Sequence, residues 1–296
     1  MQVTDILLEL SVYIIGIGRL GSRLGEEISN TLKLRYDSID ESIIDGILSP
    51  AINELRYKIN IVKNDIIEEI EEENVLLIGD LSEKISIASL PLLTYFLKEE
   101  GKEVYSIVTM PYRFENRLYE AKQALEHMHN YADCNIVIDK DALLQTNPDL
   151  TIEGCNNIIG RTIISISNIM LAKELEHKDN MLALSINPDI EIAFRDAIKM
   201  LYANHEPDEI TDALIYVHGK DTKIGDINKI VKYANDTLSN ARICVSLNEN
   251  ANGIILLTKS DLKFEKYDPL SKIKHNIDPS IDNTLKIDLP LMNMEL

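Results

Sequence analysis

The chain has 296 residues, 45% of them apolar, and a formal net charge of −19 at pH 7. That length suits two domains of ordinary size, and the apolar fraction supplies a large core and excludes wholesale disorder. So acidic a chain is repelled by phosphate backbones and anionic lipid heads, which excludes nucleic acid and direct electrostatic membrane attachment.

No run approaches the ~18 uninterrupted apolar residues of a membrane span. The opening segment lacks a basic stretch before its apolar residues, so a cytoplasmic protein without membrane insertion is expected. Cys134, Cys155 and Cys244 are far apart in sequence and show no metal-ligand spacing, so they read as buried thiols. His127 and His129 are two residues apart, a spacing a helix does not place on one face. No metal centre is expected.

In chain order, Val12–Ile17 is short and β-branched before it breaks into glycines, which predicts a buried strand entering a loop and helix. Helical patterning follows over 20–34 and 40–73, interrupted near Ser49 and Pro50 and closed by the acidic run Glu68 to Glu73. Asn74–Ile78 predicts a second buried strand, 84–100 a helix stopped by Gly101, and 103–109 a third strand. A helix over 115–130 and a strand over 135–138 complete the set. Strands and helices alternating at this spacing predict a parallel sheet covered on both faces. Ligands of such sheets gather at the carboxyl ends of the strands. A long helix over 151–177 leaves the sheet.

A second pattern follows: strands over 181–186 and 213–217, helices over 189–202 and 224–238, and a hairpin of 242–247 with 253–258. Residues 260 onward lose periodicity and read as a tail. The expected division is 1–150, a Rossmann-like domain; 151–178, a central helix; 179–260, a smaller mixed α+β domain; and 261–296, the tail.

Gly16-Ile17-Gly18-Arg19-Leu20-Gly21 matches G-x-G-x-x-G between a strand and a helix. There, glycines admit an anionic group to the backbone and the helix N-terminus offers free N–H donors. One reading is dinucleotide binding, with Asp37 or Asp40 on the ribose. The other is close strand–helix packing alone.

The stretch Ser106 to Arg117, reading S-I-V-T-M-P-Y-R-F-E-N-R, resembles the V-V-T-x-P-F-x-F-E-G segment of the FtsZ family. Likeness continues through Ala124-Leu125, Ala132-Asp133 and Asn135–Ile138 to Asp141-Ala142-Leu143-Leu144, and more weakly through Ala213–Gly219 and Ile224–Ile227. The resemblance implies an FtsZ/tubulin-like fold, GTP or GDP as ligand, and other FtsZ-like subunits as partners. Carried over residue by residue, it places a nucleotide against Gly16, Gly18, Arg19, Gly21, Ser22, Gly79, Thr109, Pro111, Glu115, Asn156 and Asn157.

Departures from the family pattern are concentrated in that site. The family's G-G-G-T-G-(T/S)-G phosphate loop is replaced by Gly79-Asp80-Leu81-Ser82-Glu83-Lys84-Ile85-Ser86. Asp80 and Glu83 then put negative charge where phosphate would lie, each costing ~4 kcal/mol at ~4 Å and an effective dielectric near 20. Lys84 or a magnesium ion offsets part of that. Tyr119 stands where the family has an arginine, Ile152 where it has a stacking phenylalanine, Arg23 where it has an asparagine, and Asn157 where it has the guanine-reading aspartate. An amide offers guanine one acceptor where a carboxylate offers two, so selectivity falls.

The family's catalytic acids come from the loop after the long helix, where Glu174, Glu176 and Asp179 are acidic but off-pattern. The expectation is a cytoskeletal or cell-division scaffold that binds nucleotide weakly and has no catalytic residues. A weakly active GTPase or a dinucleotide-binding enzyme is the alternative. The apolar segment Leu285–Met294 is similar in kind to the peptide by which FtsZ proteins recruit membrane tethers; docking on its own body is the other reading.

Overall fold

The computed structural model describes residues 12–259 except 44–49, 172–178, 188, 204–209, 211, 219–222, 239–241 and 249–252. Nine strands form one sheet in the order β2-β1-β3-β4-β5-β6-β9-β7-β8. β1 (Val12–Ile17), β3 (Asn74–Asp80), β4 (Glu103–Met110) and β5 (Cys134–Asp139) run parallel in its first half, with β2 (Arg35–Ile39) at the edge. Near-continuous runs of apolar residues in these inner strands are buried on both faces, as a helix-covered parallel sheet requires. β5 also pairs in parallel with β6 (Asp179–Ser185) through four residue pairs, so both halves of the chain share the sheet. β9 (Gly253–Lys259) then lies antiparallel between β6 and β7 (Asp212–His218), and β8 (Arg242–Asn248) closes the far edge parallel to β7.

Among the described residues the helices are α1 (Gly18–Leu32), α2 (Ile52–Glu68), α3 (Lys84–Glu99), α4 (Leu118–Tyr131), α5 (Lys140–Thr146), α6 (Ile152–Leu171), α7 (Ile190–Tyr202) and α8 (Ile224–Thr237). α1 buries Leu20, Leu24 and Ile28, on one face at helical spacing, and ends at Lys33 in the left-handed conformation. α5 is capped by Asp139, whose carboxylate accepts the Ala142 N–H at 3.1 Å.

Three expectations are corrected. Of the helix read over 40–73, the described residues form α2, which stops at Glu68, and a short 3-10 turn at Glu41–Ile43. β2 was not anticipated: Arg-Tyr-Asp-Ser-Ile has no apolar alternation because the strand has one neighbour and only Ile39 is fully buried. β8 and β9 form no hairpin, because β7 lies between them. Ile254–Leu257 of β9 are all buried, which suits a strand paired on both edges and not a half-exposed hairpin arm. The tail segment Leu285–Met294 and the acidic residues Glu174 and Glu176 lie outside the described residues.

Candidate functional site

The carboxyl ends of β1, β3, β4 and β5 meet the N-termini of α1, α3 and α5, and the predicted nucleotide residues of these elements gather there. A Cβ on Gly16 would lie 2.4 Å from the Gly21 carbonyl oxygen, and one on Gly21 would lie 2.2 Å from that of Ile78. Two of the three fingerprint glycines are therefore fixed by backbone contact between α1 and the strand ends. Gly18 adopts φ +73°, and a Cβ there would fall 1.8 Å from Oε2 of Glu83.

That carboxylate is the central feature of the site. Glu83 is the N-cap residue of α3, yet its side chain makes no cap hydrogen bond to its own helix. It reaches instead across to α1, where Oε2 accepts the Arg19 N–H at 2.7 Å. Its Oε1 lies 3.5 Å from Arg19 Nε; the arginine side chain is 93% exposed and the glutamate 14%. The free donors of α1 thus hold an anion supplied by the chain itself. Burial raises the Glu83 carboxyl above its usual range, as does the neighbouring Asp80 charge, while the Arg19 and Leu20 amides and the Arg19 guanidinium draw it down.

Behind it lies a buried ion pair. Lys140 Nζ donates to both Asp80 oxygens, at 3.0 and 2.9 Å, with side chains only 2% and 8% exposed. The ammonium is also 3.7 Å from Glu115 Oε2 and 4.7 Å from the Tyr112 ring centroid. Asp80 further accepts the Ser82 N–H at 2.9 Å, which shapes the turn from β3 into α3. Asp80 is therefore already neutralised, by Lys140, whereas Lys84 donates to the Pro50 carbonyl at 3.3 Å.

Glu115 caps its own 3-10 turn by accepting the Tyr112 N–H at 2.7 Å. Thr109 is buried at the end of β4, and its hydroxyl has no partner among the described residues. Pro111 is buried beside it. Tyr112 is buried, stacked under the exposed ring of Phe114 at 5.0 Å, and faced by the Cys155 thiol of α6. Burial and this neighbour raise the Tyr112 hydroxyl well beyond its ordinary value and keep it neutral. One residue further along α6, Asn156 Oδ1 is buried without a partner among the described residues, while Asn157 is exposed. Ser22 serves packing: its hydroxyl donates to the Gly16 carbonyl at 3.4 Å, and its own carbonyl accepts the Tyr36 O–H at 2.7 Å.

Comparisons with known proteins bear on this arrangement. No protein-family profile matches the chain. In sequence it is 23% identical to the cell division protein FtsZ of Methanothermobacter thermautotrophicus over 187 residues, 54% of this chain and 49% of that protein. It is 32% identical to a cell division protein FtsZ of Haloferax volcanii over 94 residues, 30% of this chain and 24% of that protein. The chain thus spans half or less of the length of these relatives. In structure it matches an empty FtsZ dimer of M. jannaschii with TM-score 0.67 at 14% identity, over 88% of this chain and 92% of that one. It also matches a GTPγS-bound CetZ protofilament of Haloferax volcanii with TM-score 0.59 at 12% identity, over 87% and 96%.

The chain has the FtsZ/tubulin-like fold and is similar in sequence to archaeal FtsZ. Toward the base and sugar end of the nucleotide site that the family resemblance implies, the oxygens of Thr109 and Asn156 have no hydrogen-bond partner among the described residues. At the phosphate end the N–H donor of α1 is taken and the space over Gly18 is filled. The same carboxylate stands where a dinucleotide's pyrophosphate would approach the second fingerprint glycine. Asp40, which follows β2 as a ribose-binding acid would, is turned onto the amide and hydroxyl of Ser42.

Sequence reasoning singled out Glu83 as an acidic residue of the turn between β3 and α3 but missed that it binds α1. It missed Lys140 entirely, since a lysine after an apolar strand ordinarily reads as solvated. Among the described residues no group of His, Cys, Asp and Glu is arranged to hold a metal ion, and no helix is long and apolar enough to cross a membrane.

Proposed function

We propose that this chain is an FtsZ-like cytoskeletal scaffold that forms filaments, or joins those of related subunits, without holding a nucleoside triphosphate. The observation that carries the reading is the Glu83 carboxylate seated 2.7 Å from the Arg19 N–H. A γ- or β-phosphate would have to displace it and would then meet its charge at close range, a repulsion of ~4 kcal/mol at ~4 Å and an effective dielectric near 20. Hydrolysis has no support from the sequence that follows Leu171, where Glu174, Glu176 and Asp179 do not fit the family's acidic pattern. Self-association is supported by likeness to an FtsZ dimer and to a CetZ protofilament. The protein acts in the cytoplasm, and Leu285–Met294 is the segment that would engage a membrane tether.

The test joins sedimentation with nucleotide binding on the purified full chain. Pelleting should be equal with and without GTP, a fluorescent GTP analogue should show no saturable binding, and no phosphate should be released. Stoichiometric GTP binding, or assembly that requires GTP, would refute the reading.

A further inference from the structure

We propose that Glu83 is a tethered anion: it closes a phosphate-binding position that α1 still possesses, and removing its carboxylate opens that position to inorganic phosphate or pyrophosphate. This deepens the reading above and rests on it.

Three features support an intact position under the carboxylate. The first is a 15-residue helix whose opening N–H groups have no other acceptor among the interactions described, since Ile17, its N-cap, makes no side-chain cap bond. The second is Gly18, held at φ +73°, where the atoms nearest a Cβ would be the Glu83 carboxylate at 1.8 Å and the Ser86 hydroxyl at 3.2 Å, so Glu83 is the first group an approaching anion must displace. The third is Arg19: apart from its 3.5 Å contact with Glu83 Oε1 its side chain is in solvent, free to turn onto an incoming anion. Charge behind the position does not forbid an anion, because Asp80 is already matched by Lys140 at 2.9 Å.

Geometry also makes the experiment clean. Glu83 gives α3 no side-chain cap bond, so Glu83→Ser supplies that helix with a preferred capping residue while vacating α1. The full chain and the Ser variant are titrated with inorganic phosphate and with pyrophosphate at constant ionic strength. Unfolding midpoint and the backbone amide resonances of Arg19 and Leu20 are followed. The wild type should show no saturable response. Glu83→Ser should show shifts confined to those amides and their neighbours, and a midpoint that rises about 3–5 °C per tenfold excess of ligand over its dissociation constant. Glu83→Ala must behave in the same way, and it decides the matter if the serine variant does not fold.

Variants that stay as unresponsive as the wild type would overturn the tethered-anion inference and leave the scaffold reading standing. A wild type that itself binds phosphate at these amides would overturn both.

Discussion

Replacing Lys140 by methionine isolates the buried ion pair, because methionine keeps the length and apolar stem of lysine and removes only the charge. Removing one partner of a buried pair ordinarily costs about 3–5 kcal/mol, since the other charge is left without compensation. Here the pair is bidentate at 3.0 and 2.9 Å and its side chains are 2% and 8% exposed, which places the cost in that range. Asp80 keeps the Ser82 N–H at 2.9 Å, which moderates it toward about 3 kcal/mol. At about 2–4 °C per kcal/mol the thermal midpoint falls by roughly 6–12 °C. Urea unfolding followed by circular dichroism should show a lower midpoint at unchanged slope. Adding Asp80→Asn removes the stranded charge and should recover about 2 kcal/mol of the loss. A single variant that loses less than about 1 kcal/mol, or a double variant no more stable than the single, would refute a stabilising role for the pair.

Glu83 gives a pH-dependent prediction. Its folded carboxyl is raised, so its stabilising contribution is complete below the ordinary value of 4.5 and is lost as pH rises through the folded value. Glu83→Gln, whose amide oxygen can still accept the Arg19 N–H, should therefore gain on the wild type as pH goes from about 4 to 7 in paired urea titrations. His127 behaves oppositely. Burial, with the Arg56 charge, lowers its value below 6.5, and its Nδ1 is buried without a partner. Its neutral form supports the fold above 6.5, and that support fades as pH falls below it, so His127→Gln should flatten the acid limb of the stability profile. Gly21→Ala drives a Cβ to 2.2 Å from the Ile78 carbonyl oxygen and should cost about 1–3 kcal/mol by urea unfolding. Gly225→Ala in α8, where a Cβ meets nothing within 4 Å, should instead add about 0.5–1 kcal/mol.

The parallel half of the sheet was legible because its strands are short apolar runs separated by helical periods, and periodicity is a local property. β2 was not, since an edge strand with one neighbour can be as polar as Arg-Tyr-Asp-Ser-Ile. The order β9-β7-β8 was hidden for another reason: a short connection between two strands suggests a hairpin, while pairing partners are set by which strand must be buried on both sides. At the site, the loss of glycines between β3 and α3 was visible, and so was the acidity that replaced them. Lys140 is 60 residues from Asp80 in sequence, and no spacing rule joins them. The same distance problem hid Glu83 and Arg19, 64 residues apart.

These two long-range contacts depend on each other. A helix N-terminus packed against a sheet needs an acceptor for its free N–H groups, and where no ligand supplies one the chain must. Glu83 does so, but in reaching α1 it is partly buried, which raises its carboxyl, and it comes near enough to Asp80 for that charge to add to the rise. The arrangement is sustained because Lys140 neutralises Asp80. Glu83→Gln and Lys140→Met should therefore be non-additive. With Lys140 present, the glutamine substitution removes a small repulsion. In Lys140→Met the Asp80 charge stands unmatched, so losing the Glu83 charge relieves more, and the double variant should be more stable than the sum of the singles by about 0.5–3 kcal/mol. A double-mutant cycle at pH 7 measures that coupling directly. A value of zero would mean that the tethered anion and the buried cation are independent features of the fold, and that Lys140 has no part in letting Glu83 occupy the phosphate position.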